Sequence, residues 1–191
     1  ISERTRAALK AKKEKGVKLG RPTGSRDKKK RSKSGYYIRE MKKKNEDRTW
    51  IKVKDGDPVA LDLFNRHYSK YHYKDGRKQT RFVGPGQRLV LLTNCRKALF
   101  VWRKFIDASG QQGVNCSVFR NESDRLSSQL IIEAEKLAFE KWPGQRLYTY
   151  VNADKVKQKK NPGYCFIKAG WAFCGITKIN KLLIFEKYPP K

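Results

Sequence analysis

One candidate site is a predicted junction between a strand and a helix, which could bind an anion. The first amides of a helix have no partner within the helix, and the helix dipole adds positive potential there. Ser127 and Ser128 would add two hydroxyl donors at this point. Glu122 and Asp124 weaken this interpretation, because each places a negative charge in the same stretch.

A second set of candidate residues is basic and could bind nucleic acid. The tripeptide Gly20-Arg21-Pro22 is extended and narrow, which suits a segment that lies in the minor groove with Arg21 among base edges. A solvated linker is the alternative interpretation of the same stretch. A basic cluster follows and is also expected to contact DNA: Lys28, Lys29, Lys30 and Arg31.

The net charge favours nucleic acid as the partner. The 191 residues include 46 Lys and Arg against 18 Asp and Glu, a formal net charge of +28. A protein with this charge repels itself unless a polyanion neutralises it. The sequence contains no run of about 18 apolar residues and no recognisable signal peptide. We therefore expect no membrane association and a cytoplasmic location.

Composition divides the chain into a basic arm, residues 1–48, and a body, residues 49–191. The arm holds 19 of the 46 basic residues. We expect a charged helix over residues 2–19, capped by Ser2 and ended or interrupted by Gly16, and then a partly flexible stretch. The body contains all four Trp and can bury a core. Its four Cys lack CxxC spacing, which predicts buried, reduced thiols rather than disulfides or a zinc site.

The body is predicted to fold in the order β-α-β-β-β-α-β-α-β-β. Asp57-Pro58 opens the first of its helices, which is expected to end near residues 67–68. The longest helix is predicted for residues 124–142, with Ser123 as its cap, and its apolar face comprises Leu126, Leu130, Ala134, Leu137 and Ala138. This order indicates an α/β fold, a curved mixed sheet with helices on both faces.

The element order resembles that of the GNAT acetyltransferases. In that superfamily the pyrophosphate of an acyl-carrier cofactor binds at the N-terminus of a helix that follows a central strand. The corresponding junction here holds Ser127 and Ser128. The stretch 161–171 resembles the strand and short helix that follow in many GNAT proteins, and Phe166 occupies the position where many acetyltransferases carry a tyrosine acid.

Several short blocks are similar to the Mom DNA-modification proteins of Mu-like phages, within a similarity that spans about residues 57–185. The blocks are, in order, Arg66-His67-Tyr68-Ser69, residues 118–122, Asp154, and Asn161-Pro162-Gly163-Tyr164. In that family a GNAT-like domain converts adenine in double-stranded DNA to a form carbamoylmethylated on its exocyclic amine, which protects phage DNA from restriction enzymes. The resemblance implies catalytic roles for His67, Tyr68, Asp154 and Tyr164, and cofactor binding by Arg120, Ser127 and Ser128.

The residue types suit that reaction. An adenine amine is a poor nucleophile because its lone pair is delocalised into the ring, so a base or an orienting carboxylate must act; Asp154 or His67 could do so. Arg120 could neutralise charge on the group donor or on a phosphate. Tyr68 and Tyr164 could stack on a flipped base or donate a proton.

The cofactor is open at this point. An acyl-carrier donor such as acetyl-CoA would fit the GNAT-like order, whereas iron would need more protein ligands than His67 and Asp154, such as His72. Each candidate also has a purely structural interpretation. His67 could cap a helix, Asp154 could be a turn residue, Tyr164 a core aromatic residue and Arg120 a surface cation.

Residues 1–25 resemble the end of the catalytic domain of serine recombinases, where a long helix beginning Ile-Ser-Glu-Arg-Thr leads to a Gly-Arg-Pro arm. The nucleophilic serine and arginine cluster of that domain are not in this segment, so it is expected to act as a DNA-binding arm. Three functions therefore remain open. They are a phage DNA base-modifying transferase, an acetyl-CoA-dependent N-acetyltransferase of a protein or small amine, and a non-enzymatic DNA-binding module of recombinase origin.

Overall fold

The structure, a computed structural model, describes residues 2–17, 48–76, 78–106, 110–156 and 160–190. The chain divides into two compact units, Ile1–Glu40 and Met41–Lys191. In the first unit, helix α1 spans Glu3–Glu14 and buries none of its side chains. The Ser2 hydroxyl accepts a hydrogen bond from the Thr5 amide at 3.4 Å, so the predicted cap is confirmed.

The second unit alternates strands and helices in the predicted order. Its first half contains β1 (Trp50–Val53), α2 (Pro58–Asn65), β2 (Gln87–Thr93), β3 (Ala98–Lys104) and β4 (Val114–Asn121). Its second half contains α3 (Ser127–Lys141), β5 (Leu147–Val151), α4 (Tyr164–Lys168), β6 (Ala172–Ile176) and β7 (Leu183–Lys187). Helix α2 begins as predicted, because the Asp57 carboxylate accepts hydrogen bonds from the Val59 and Ala60 amides, each at 3.0 Å.

The strands form one open, mixed sheet in the order β1-β2-β3-β4-β5-β7-β6. Strands β4 and β5 run parallel, and the remaining neighbours are antiparallel. A parallel pair needs a crossover connection, and α3 supplies it here. The prediction of a mixed sheet is confirmed.

Side chains of the central strands alternate between two apolar layers. On β2, Leu89 and Leu91 pack in the layer that contains α3 and α4, whereas Val90 and Leu92 pack in the layer that contains α2. The indole N–H of Trp102 donates to the Ala134 carbonyl at 3.1 Å, which joins β3 to α3. Helices therefore cover both faces of the sheet, as predicted.

Helix α3 begins three residues later than predicted. The Ser123 hydroxyl donates to the Asn121 side-chain oxygen at 2.7 Å and does not cap the helix. Leu126 is 64% exposed and lies at the N-cap position, so its predicted place on the buried face is wrong. The physical reason is a loop organised by Asn121, which also donates to the Arg125 carbonyl at 2.8 Å.

The four cysteines are free thiols. Cys116 is buried and Cys165 is half-buried. Cys95 and Cys174 are exposed, so the prediction of burial was wrong for these two. In the ranges that the structure describes, no helix is both long and apolar enough to cross a membrane.

Candidate active site

The candidate site lies where the two parallel strands separate. Strands β4 and β5 pair from Val114 with Leu147 to Cys116 with Thr149, and the remainder of β4 has no β5 partner. A cavity of about 540 Å³ opens in this gap, at the carboxyl ends of both strands. Open α/β sheets commonly bind ligands at this position, and the volume suits a small organic ligand.

A β-bulge in β4 shapes one wall of the cavity. Val101 of β3 pairs with Val118, but the adjacent Trp102 pairs with Cys116, so Ser117 is an extra residue in β4. A bulge shifts the alternation of side chains between the two faces. Cys116 and Ser117 as well as Phe119 consequently line the same cavity.

The structure brings together four of the seven predicted catalytic and cofactor-binding residues. His67 and Tyr68 follow α2, Ser127 is the first residue of α3, and Tyr164 is the first residue of α4; all four line the cavity. Three separate elements position them, so their convergence depends on the tertiary fold and not on local sequence.

Three other predicted residues do not line the cavity: Arg120, Ser128 and Asp154. Asp154 is exposed in the turn after β5, and its amide donates to the Asn152 side-chain oxygen at 3.0 Å. This arrangement agrees with its interpretation as a turn residue. The predicted DNA-contacting residues lie outside the described residues: Arg21, Lys28, Lys29, Lys30 and Arg31.

His67 is buried and hydrogen-bonded within the protein. Its Nδ1 accepts a hydrogen bond from the Ser69 amide at 3.2 Å and lies 2.7 Å from the Ser69 hydroxyl. Because Nδ1 accepts from an amide, the proton of the neutral ring is on Nε2, and the imidazole also has a hydrogen bond with the Phe119 backbone. Burial, followed by the charge of Arg120, lowers the pKa of His67 to about 4. The neutral ring fastens the segment after α2 to β4, a positioning role.

Two tyrosine rings provide the polar and stacking surfaces of the cavity. The Tyr68 ring centroid lies 4.3 Å from that of His67, and the Tyr68 hydroxyl is hydrogen-bonded to the Asn152 backbone. Burial raises the pKa of Tyr68, which keeps its phenol protonated and able to donate. Tyr164 is 44% exposed, and the Lys168 ammonium lies 5.4 Å from its ring centroid.

The described lining of the cavity contains no carboxylate, Lys or Arg side chain. Burial raises the pKa of the Cys116 and Cys165 thiols, so both stay neutral. With His67 neutral as well, these groups carry no charge at pH 7. An aromatic, uncharged cavity suits a flat neutral heterocycle better than a pyrophosphate, because a buried anion would lack compensating charge.

Arg120 is part of a charged cluster near the cavity. Its guanidinium hydrogen-bonds the Glu122 carboxylate and the Arg66 carbonyl. Arg66 binds Glu122 through two hydrogen bonds, of 3.0 and 2.9 Å. The Arg66 guanidinium, and then Arg120, lower the pKa of Glu122 to about 2. Two guanidinium groups thus compensate the negative charge of Glu122. The Arg120 guanidinium already forms its hydrogen bonds within the protein.

The start of α3 lies beside the cavity. The N-cap position is Leu126, and no side chain caps the helix. Ser127 lines the cavity and accepts a hydrogen bond from the Asn121 side-chain amide at 3.1 Å. A phosphate or carboxylate of a group donor could therefore bind the first amides of α3 beside the cavity.

The donor set does not fit an iron site. Within the described ranges, no three His, Cys, Asp or Glu side chains cluster in a way that could hold a metal ion. Nδ1 of His67 already accepts a hydrogen bond from the Ser69 amide. His72 lies in a separate groove with Asn65 and Lys70, so it does not complete the ligand set suggested by the sequence.

Sequence reasoning missed several cavity residues, including Cys116, Thr149, Tyr150 and Cys165. They belong to strands or follow a helix start, and their types carry no local signal of a site. Only the register of β4 against β5, with the bulge at Ser117, identifies the cavity wall.

Comparison of the chain with protein-family models, curated proteins and solved structures found no match. The resemblances to Mom proteins and to the end of the recombinase domain therefore rest on short residue blocks. The geometry of the cavity has to be interpreted from its own residues.

Proposed function

We propose that this protein is a GNAT-like, DNA base-modifying transferase that acts on double-stranded phage DNA in the host cytoplasm. It adds a small acyl-derived, carbamoylmethyl-like group to the exocyclic amine of adenine and thereby protects the DNA from restriction. The observation that carries the proposal is the convergence of His67, Tyr68, Tyr164 and Ser127 on one cavity whose described lining is aromatic and uncharged. The formal net charge of +28 supports DNA as the polyanion.

The sheet supports the GNAT-like part of the proposal. The cavity opens where the parallel strands β4 and β5 diverge, and α3 connects those strands. A donor could lie along the unpaired part of β4, with its anionic group at the start of α3. The donor and the base would then approach the cavity from different sides.

In the proposed reaction the adenine leaves the base stack and enters the cavity. This step is needed because an adenine that is stacked in the duplex cannot bring its amine into a cavity of the protein. Tyr68 and Tyr164 stack against the base. The exocyclic nitrogen forms a new bond to the donor carbon, and the bond between that carbon and its carrier breaks, with its electron pair leaving on the carrier. The departing carrier takes up the amine proton, because the described lining of the cavity holds no carboxylate and Asp154 lies in the exposed turn after β5.

Nucleoside mass spectrometry of plasmid DNA from cells that express the full chain tests this function. The wild type should yield an adenosine-derived nucleoside of increased mass, and its mass identifies the transferred group. Tyr164→Ala should abolish this species because it removes one stacking surface. Tyr188→Ala is the matched control, since Tyr188 is 60% exposed and follows β7 at the opposite end of the sheet.

Three outcomes distinguish the proposal from its rivals. Unmodified DNA from well-expressed wild-type protein that binds duplex DNA would favour a non-enzymatic binding module. Tight acetyl-CoA binding with acetylation of a protein or amine, and no modified nucleoside, would favour an ordinary acetyltransferase. A modified nucleoside that persists in Tyr164→Ala would place the chemistry outside this cavity.

A further inference from the structure

The turn between β6 and β7 carries the most exposed large apolar side chain among the described residues, Ile179, which is 89% exposed. The turn is closed by two hydrogen bonds. The Thr177 amide donates to the Leu182 carbonyl, and the Leu182 amide donates to the Thr177 hydroxyl, each at 2.9 Å. Ile179 is thus presented to solvent on a turn whose two ends are held together.

This hairpin projects from the end of the sheet that holds the cavity. Leu183, the first residue of β7, pairs with Val151, the last residue of β5, and Val151 lines the cavity. The turn that precedes Leu183 therefore extends beyond the cavity end. A groove of about 570 Å³ includes Ile179 and Tyr150, and Tyr150 also lines the cavity.

The surroundings of Ile179 are basic. Lys178 precedes it and Lys181 follows two positions later, and both are exposed. Residues 172–185 contain no Asp or Glu. Exposed Phe173 and Ile176 on the edge strand β6 extend the apolar surface from the turn. An apolar tip between cations is complementary to a duplex, in which stacked bases lie between two phosphate backbones.

We propose that this hairpin binds duplex DNA beside the cavity and that Ile179 inserts between base pairs. Lys178 and Lys181 contact the phosphates, and the Ile179 side chain occupies the space that the base leaves when it enters the cavity. Insertion offsets part of the cost of unstacking that base. This inference rests on the proposed function, because it assigns the step that delivers adenine to the cavity.

Permanganate footprinting of plasmid DNA tests the proposal, because permanganate oxidises thymines that are unstacked and a plasmid offers many sequence contexts. Wild-type protein should make thymines reactive at its binding sites, since a flipped adenine leaves its thymine partner unpaired. Ile179→Ala should reduce both this reactivity and the yield of modified nucleoside by roughly tenfold. Ile179→Phe should retain both the thymine reactivity and the yield of modified nucleoside, because it keeps a bulky apolar side chain at the tip of the hairpin.

The matched control is Ile106→Ala. Ile106 is 66% exposed, and it follows Lys104, which pairs with Val114 at the opposite end of the sheet from the cavity. This variant also removes an exposed isoleucine and should retain wild-type reactivity and modification. Equal losses in Ile106→Ala and Ile179→Ala would overturn the proposal, because they would report a general effect of lost apolar surface.

The remaining outcomes separate this inference from the proposed function. Modification that is unchanged in Ile179→Ala would overturn the inserted wedge and leave the transferase intact. A wild type that produces neither reactive thymines nor a modified nucleoside would overturn both. If Ile179→Ala instead dissociates an oligomer in light scattering and leaves the footprint unchanged, the hairpin is an interface between copies and the wedge is overturned.

Discussion

At the scale of single residues, His67 shows how burial decides chemistry. Burial and Arg120 lower its pKa to about 4, so at pH 7 it is a neutral ring whose Nδ1 accepts a hydrogen bond from the Ser69 amide. The unfolded chain binds a proton on this group below its ordinary pKa of about 6.5, whereas the folded chain does not until pH falls near 4. Stability is therefore expected to decrease as pH falls through this window.

The free energy of unfolding should fall by about 2 kcal/mol between pH 7.5 and pH 5 through His67 alone. The measurement is urea unfolding of the wild type and of His67→Gln at both pH values. The variant should be less stable than the wild type at pH 7.5 but should show a smaller decrease on acidification. Identical decreases in the two proteins would mean that His67 does not titrate across this window.

At the scale of elements, Gly163 sets the start of α4 and hence the position of Tyr164. Its φ is 83°, and an added Cβ would lie 2.5 Å from a ring carbon of buried Phe185. Gly163→Ala should cost roughly 3 kcal/mol, because it combines backbone strain with overpacking. Gly144→Ala is the matched control, since Gly144 has φ 71° with no heavy atom near the added Cβ, and should cost roughly 1 kcal/mol.

Urea unfolding gives both free energies, and plasmid mass spectrometry gives the functional consequence. Gly163→Ala should lose nucleoside modification under conditions where the variant is still folded, because Tyr164 is displaced. Equal destabilisation by the two alanines would show that backbone strain alone matters and that Phe185 moves aside at little cost.

A buried ion pair connects α3 with β7. The Lys187 ammonium donates to the Glu135 carboxylate and to the Ala169 carbonyl, each at 2.6 Å, and the Trp171 indole N–H also hydrogen-bonds Glu135. Lys187→Met should cost about 3 kcal/mol at pH 7.5, because it leaves a buried carboxylate without its cation. Burial already raises the pKa of Glu135, and loss of Lys187 raises this pKa further.

A carboxyl group whose pKa is raised by folding destabilises the folded state at high pH. The loss in free energy of unfolding caused by Lys187→Met should therefore become smaller when the pH is lowered from 7.5 to 5. The control is the double variant that combines Lys187→Met with Glu135→Gln. It has no buried carboxylate at position 135, so its loss of stability should not change with pH in this way. A deficit that is independent of pH in the single variant would contradict the unpaired carboxylate as its cause.

At the scale of the whole molecule, charge is expected to control DNA affinity. Each phosphate contact of a basic residue contributes about 0.9 to the slope of log affinity against log salt. Changing Lys28, Lys29, Lys30 and Arg31 to Gln should therefore lower the slope by roughly three to four, uniformly across duplex sequences. Fluorescence anisotropy over a series of salt concentrations measures it.

The matched control for this charge change is a separate variant in which Lys10, Lys12, Lys13 and Lys15, at the end of α1 and its C-cap, are changed to Gln. Both variants lose four positive charges from the full chain. A larger change of slope in the first variant would locate the contacts in the cluster at residues 28–31 rather than in the first segment of the arm. Equal changes of slope in the two variants would show that net charge alone sets the DNA affinity. A slope that is unchanged in both variants would show that neither segment contacts the DNA.

Local patterns by themselves determined the order of elements and the type of sheet. The alternating and continuous apolar runs identify the strands because burial requires side chains of one face to be apolar, and Asp57-Pro58 marks a helix start because its carboxylate caps free amides. The start of α3 was misplaced because Asn121, six residues before that start, holds the intervening loop through its side chain. Such a side-chain contact leaves no periodic signal.

The tertiary structure alone decided which candidates meet. His67, Tyr68 and Tyr164 share a cavity because β4 and β5 separate after Cys116 and Thr149, and a bulge at Ser117 shifts which β4 side chains line that cavity. Neither the register nor the bulge can be inferred from residue types, since both arise from pairing between distant strands. The same pairing leaves Asp154 in an exposed turn and carries the basic hairpin with Ile179 past the cavity end of the sheet.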